Sequence, residues 1–103
     1  MNVQDKISPA EMQANAAKAT ELLKSLAHEN RLLILCQLAD GEKSVSQLAQ
    51  LLSVRQPTLS QHLARLRAEE LVATRRDGNV IYYRLANEQV RPVIEVLYDT
   101  FCS

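Results

Sequence analysis

Apolar residues recur along this chain at helical spacing in several stretches and give way once to β-branched and aromatic runs. Met12, Ala16, Ala19, Leu22, Leu23 and Leu26 follow the three- and four-residue steps of one helical face. Upstream, Ser8-Pro9-Ala10-Glu11 has the form of a capping box with Pro at the first helical position, so a helix is predicted over about 9–27. His28-Glu29-Asn30 interrupts it. The next run, RLLILCQLA, is apolar nearly all round, as expected of a helix buried in the middle of a domain. Asp40-Gly41 stops that helix, and Ser44 with Gln47 predicts a second capping box opening a short helix through Leu52.

After a three-residue break, Ser53-Val54-Arg55, residues 56–69 set Leu59, Leu63 and Leu66 on one stripe and polar side chains elsewhere. LVATRR and VIYYRLA then flank Asp77-Gly78-Asn79, the signal of a tight hairpin, predicting a two-stranded ribbon over 71–85. Val90, Ile94, Leu97 and Phe101 return to helical spacing over about 90–102, with Val93 and Val96 as a second stripe. Pro92 lacks an amide hydrogen, so this last helix is expected to start near Arg91. No repeat, linker or low-complexity segment intervenes. A chain of 103 residues buries only about two-thirds of its unfolded surface, so residues 1–103 read as one domain, and a multi-domain enzyme is not expected.

The opening segment MNVQDKISPAEM has no apolar core of a signal peptide, and no stretch approaches the roughly 18 apolar residues of a membrane span. The expected setting is the cytoplasm, with no membrane partner and with Cys36 and Cys102 resting as thiols.

Charge sharpens the picture once it is resolved along the chain. Twelve Lys plus Arg balance twelve Asp plus Glu overall, yet residues 55–84 carry six cations against three anions. All six are arginines, Arg55, Arg65, Arg67, Arg75, Arg76 and Arg84, the side chain best shaped for bidentate phosphate and base-edge contacts.

Two short helices joined by a three-residue turn, over about 45–69, form a helix-turn-helix, and the ribbon behind them forms a wing. The second helix offers Gln56, Thr58, Ser60, Gln61 and His62 in its first two turns, where a recognition helix meets base edges. Gln61 can pair with adenine, whereas Thr58, Ser60 and His62 are adaptable donors or acceptors. Arg65 and Arg67 are placed for phosphates, and Arg75, Arg76 and Arg84, expected around the wing tip, suit phosphates or a narrow minor groove. The plainer reading is an amphipathic surface helix with a solvated Arg face. A lone helical hairpin, however, would not concentrate Arg in two successive elements.

The order of elements and the strings LLKSLAHENRLLIL, SVSQLAQLLSVRQPTLSQHLARLRAEELV and RRDGNVIYYRL resemble the ArsR/SmtB family of winged-helix repressors over nearly the whole chain. The resemblance implies a mainly α fold with a β-hairpin wing: four helices, the hairpin, then a fifth helix. It also implies a homodimer through the first and last helices, binding of double-stranded DNA at an imperfect palindromic operator, and release on sensing a ligand. Three positions depart from the family pattern: Glu29 where Pro is frequent, Ser53 where Gly is common in the turn, and Arg55 where Ser often caps the recognition helix. Loss of that cap costs about 1 kcal/mol, while Arg55 gains access to a phosphate.

Metal sensors of this family draw ligands from a Cys-x-Cys at the third helix or from Asp, His and Glu on the last. Here Ser44 and Ser46 stand at the former and the latter has no His, so neither metal nor cofactor is expected. A metal- or metalloid-responsive repressor remains an alternative that needs ligands shared between chains. His28 is expected to cap or pack, and His62 to face DNA or solvent.

Cys36 and Cys102 stand 66 positions apart. Composition alone makes Cys36 a small hydrophobe. Thiols at these two places, in Leu35-Cys36 and Phe101-Cys102, resemble the persulfide- and redox-responsive subgroup of the family, the BigR/SqrR/HlyU type. That resemblance implies that reactive sulfur species such as persulfides link the two through a disulfide or longer polysulfide and lower DNA affinity. A direct disulfide needs Cα atoms within roughly 7 Å, a limit that inserted sulfurs relax. Aliphatic surroundings for Cys36 and a helix C-terminus for Cys102 act against this chemistry by raising a thiol pKa. A small thiol oxidoreductase is the alternative from another class. There is no paired Cys motif, no Gly-rich phosphate loop, and no His or carboxylate expected beside either Cys, so no enzyme is predicted.

Overall fold

The computed structural model describes residues 7–102, so residues 1–6 and 103 of the single predicted domain lie outside it. Its elements are α1 (Pro9–Leu26), α2 (Glu29–Ala39), β1 (Lys43–Ser44), α3 (Val45–Leu52), α4 (Gln56–Ala68), β2 (Val72–Asp77), β3 (Val80–Leu85) and α5 (Arg91–Phe101). Helices α1 and α3 begin where the capping signals put them, and α2 begins at Glu29, inside the segment read as an interruption. The Ser8 hydroxyl accepts the Glu11 amide at 3.1 Å with Pro9 in the first turn. Ser44 and Gln47 form a reciprocal box, each side chain accepting the other's amide, at 3.2 and 2.8 Å. His28 caps α2 through Nδ1, which accepts the Asn30 amide at 3.1 Å. Arg55 heads α4 with no side-chain cap, as its residue type dictates.

Helix α2 is the hub, touching all four other helices and β3. Its Ile34, Leu35 and Leu38 meet Leu48 of α3, Leu59, Leu63 and Leu66 of α4, Val72 and Leu85 of the wing root, and Ile94 of α5 in one buried core. Long cations close the helix ends, where the last carbonyls lack partners. Buried Arg31 donates from Nε to Ser25 O at 2.7 Å and from Nη2 to Lys24 O at 3.2 Å, sealing α1. Lys43 donates to Gln37 O at 2.9 Å and Arg91 to Ala39 O at 2.7 Å, sealing α2.

One element departs from the two-stranded ribbon expected of the sequence. The sheet has three antiparallel strands in the order β1-β3-β2, with Lys43 opposite Tyr83 and Ser44 opposite Tyr82. A two-residue strand has no hydrophobic period to read, and its Ser44 had already been assigned to the α3 cap. The α3–α4 turn passes through Ser53 at φ 55°, a left-handed conformation that explains why glycine suits this position. The fold is therefore a mainly helical winged helix-turn-helix.

Candidate nucleic-acid interface and thiol pair

Burial of Leu59, Leu63 and Leu66 fixes the roll of α4 and turns Gln56, Ser60, Gln61, Arg65 and Arg67 to solvent, with Thr58 half-buried beside them. Gln56 reaches back to the Ser46 hydroxyl at 3.4 Å, tying the start of α4 to α3. Arg55 is exposed at the head of the helix. Arg65 is partly neutralised: its Nε lies 3.2 Å from Glu69 Oε1, while the other Glu69 oxygen accepts from the buried Ser25 hydroxyl. His62 is placed differently from the DNA-facing or solvated side chain expected. It is half-buried against His28, ring centroids 4.4 Å apart. Burial first, then electrostatic interaction with His28, Arg31 and Arg65, holds its pKa below the ordinary imidazole value.

The three wing arginines separate. Arg76 lies one residue pair from the tip, where its Nε donates to Gly78 O at 3.1 Å. Arg75 is taken up by Glu42: its Nε lies 3.0 Å from both carboxylate oxygens, and Nη2 lies 2.5 Å from Oε1. The guanidinium also sits 4.8 Å from the centre of the Tyr82 ring. Arg84 is not at the tip, as the sequence reading had it. It pairs with Ala73, one step from the buried Val72/Leu85 pair at the root, because the hairpin register carries it there.

Cys36 is half-buried on α2 and opens onto a cleft of about 150 Å³ between α2 and α5, lined also by Ala39, Asp40, Ile94, Glu95 and Tyr98. Cys102 is exposed and ends α5, its amide bonded to Tyr98 O at 2.7 Å. Burial raises the Cys36 thiol pKa, and the Cys102 thiol adds to it, so the two are electrostatic neighbours although distant in sequence. The sequence reading had put no carboxylate beside either thiol. Asp40 and Glu95 correct that for Cys36, and Asp40, four positions on in the same helical run, was within reach of a spacing argument. Glu42 left no such signal, because its partner lies 33 positions away on a register set by β1. Among the described residues no group of three or more His, Cys, Asp or Glu converges as a metal site would require. No helix there is long and apolar enough to cross a membrane.

Residues 28–74 match the family described as "Bacterial regulatory protein, arsR family". The chain is 47% identical over 93 residues to the "Transcriptional activator HlyU" of Vibrio cholerae, covering 90% of this chain and 86% of that one. It is 48% identical over 92 residues to the "Biofilm growth-associated repressor" of Agrobacterium fabrum, covering 89% and 79%. The structure of reduced HlyU from Vibrio cholerae superposes with a TM-score of 0.86 at 46% identity, covering 90% of this chain and 98% of that one. The homodimeric winged helix-turn-helix DNA-binding domain Mb0332 of Mycobacterium bovis does so at 0.75 and 32% identity, covering 92% and 87%.

Proposed function

The chain belongs to the arsR family of bacterial transcriptional regulators and is not an enzyme; from that premise we propose a homodimeric repressor, acting in the cytoplasm, whose grip on DNA is set by its two thiols. Two copies would join through α1 and α5. Within one protomer α1 is mostly exposed, and Leu23 on α1 with Val96 and Phe101 on α5 stand in solvent at 59%, 63% and 79% exposure. A two-fold pairing would bury these side chains and set the recognition helices in successive major grooves of an imperfect palindrome, about 34 Å apart. Gln61, Thr58 and Ser60 then read base edges. Arg55, Arg67, Arg76 and Arg84 hold phosphates, with Arg65 and Arg75 in reserve behind their carboxylates.

The observation that carries the switch is the placement of Cys36 on the cleft between α2 and α5 with Cys102 at the end of α5, the element proposed to dimerise. Exposed Cys102 reacts first: its thiolate attacks the outer sulfur of a low-molecular-weight persulfide, expelling the thiol and becoming Cys102 persulfide. The Cys36 thiol then attacks the inner sulfur of Cys102, closing a disulfide and releasing hydrogen sulfide. A second persulfide would leave a longer sulfur chain. Crosslinking constrains the path of α5, and it favours whichever of two dimer arrangements brings the two thiols within bonding reach.

The test is DNA binding before and after persulfide treatment, with mass spectrometry of the same samples. Wild-type protein is expected to gain an intraprotomer crosslink and release its operator, while Cys36→Ser binds and does not release. Release that persists in Cys36→Ser would eliminate the dithiol switch and leave the DNA reading standing.

A further inference from the structure

The outer face of the wing sheet holds a carboxylate among arginines. Partners across a sheet share a face, so Arg75 with Tyr82 and Ala73 with Arg84 lie on the side opposite the buried Val72/Leu85 pair. Glu42 immediately precedes β1, and the pairing of Lys43 with Tyr83 sets Glu42 beside Arg84 at the other edge of β3. From there its side chain reaches across the central strand and takes the Arg75 guanidinium, which lies over Tyr82, with both oxygens at 3.0 Å from Nε, while Asp77 Oδ2 stands further off at 3.9 Å from Nη1. Arg75 hydrogen bonds, and then the Arg75 and Arg84 charges, hold the Glu42 carboxyl below the ordinary range, so it stays ionised at neutral pH.

A two-oxygen grip on a guanidinium fork is also how arginine takes a phosphate. We infer that Glu42 is a built-in phosphate mimic: it occupies the Arg75 fork in the free protein and suppresses sequence-independent DNA binding, because a backbone phosphate must displace it to recruit Arg75. This rests on the DNA-binding reading above and adds a specificity-determining residue to it. Nonspecific affinity comes almost entirely from cations that replace counterions on phosphates. Withholding Arg75 leaves Arg76 and Arg84 as the wing arginines without an ion-pair partner among the described residues, with Arg84 offset only by the nearby Glu42 charge. Local net charge thus overstates what the wing presents to DNA.

The competing role is mechanical, a staple joining β1 to β2 across β3. The two roles predict opposite signs. Affinity for a labelled duplex of mixed sequence, measured by anisotropy across a salt series, is compared for wild type, Glu42→Gln, Glu42→Asp, Arg75→Ala and the Glu42→Gln/Arg75→Ala double variant. Glu42→Gln keeps size and an acceptor but loses the charge. It is expected to bind more tightly, with a log affinity against log salt slope steeper by about 0.9, one added phosphate contact. Its advantage over wild type should therefore widen roughly 3.5-fold for each fourfold fall in salt. Glu42→Asp should behave as wild type, and Glu42→Gln should lose its effect when Arg75 is Ala. Unchanged or weaker binding by Glu42→Gln, or a gain that survives in the double variant, overturns the inference while wild-type binding keeps the DNA reading intact. A wild-type protein that binds no duplex even at low salt overturns both.

Discussion

The imidazole of His62, on the recognition helix, stacks on that of His28, the residue that caps α2, with ring centroids 4.4 Å apart and planes tilted by 50°. A side chain predicted to meet DNA or solvent thus joins the reading head to the α1–α2 junction. The groups that act on it are His28 and the cations Arg31 and Arg65, with Glu69 engaged by Arg65 and Ser25.

This contact predicts a pH dependence of stability. The folded state lowers the His62 pKa below the value of about 6.5 expected of an unfolded chain, so between the two the unfolded state binds more protons and stability rises with pH. The contribution is complete above about pH 6.5 and is lost as pH falls through the depressed value. Urea midpoints of wild type and His62→Gln, compared at about pH 7.5 and about pH 5.5, should converge at the lower pH. Carboxylate titration affects both proteins alike, so parallel curves would show that the stack carries no such coupling.

The α3–α4 turn predicts a stabilising substitution. Ser53 holds φ 55°, where a Cβ costs roughly 1–2 kcal/mol, and it is exposed, so no packing is lost with the side chain. Glycine relieves that strain at some cost in unfolded-state entropy, for a net gain of about 0.5–1 kcal/mol. Ser53→Gly should raise the denaturation midpoint with an unchanged denaturant slope. A lower midpoint would mean the turn tolerates serine without strain.

How much of this was legible in the sequence follows the range of the interactions. Helix starts were readable at Ser8 and Ser44 because capping is settled within four residues, and at Arg91 because Pro92 needs no amide partner in a first turn. The hairpin was readable because Asp77-Gly78 fixes its own turn, with Gly78 at φ 63°. The roll of α4 was readable from Leu59, Leu63 and Leu66, and that alone places Gln61 and Arg67 outward. What escaped depends on contacts between distant residues. The His28–His62 contact joins two elements distant in sequence, Glu42 meets Arg75 only through a strand two residues long, and Arg84 is at the wing root by register. Periodicity reports which face is buried, not which polar groups meet on the other.

The proposed dimer predicts that charge on α5 dissociates it. Phe101 is 79% exposed in one protomer, and burying such a side chain is worth about 1.5–3 kcal/mol, counted twice across a two-fold axis. Phe101→Glu should therefore raise the dimer dissociation constant by roughly two to four powers of ten. Sedimentation equilibrium reads this directly, and Leu23→Glu on α1 should act in the same direction. If both variants remain dimers at micromolar concentration, the interface lies on another face.

The recognition helix predicts two kinds of loss, separable by sequence and salt. Gln61 is exposed on the face of α4 opposite its buried leucines, and a side-chain amide bonded to an adenine edge contributes about 1–3 kcal/mol of discrimination. Gln61→Ala should weaken operator binding by that amount and leave mixed-sequence binding and the salt slope nearly unchanged, because no charge is removed. Arg67, exposed in the last turn of the same helix, carries charge and is set back from the base-reading turns. Arg67→Ala should weaken operator and mixed-sequence DNA alike and reduce the salt slope by about 1. Titrations of both variants on both duplexes decide it: a Gln61→Ala loss that is equal on the two would remove Gln61 from base reading and assign it to backbone contact.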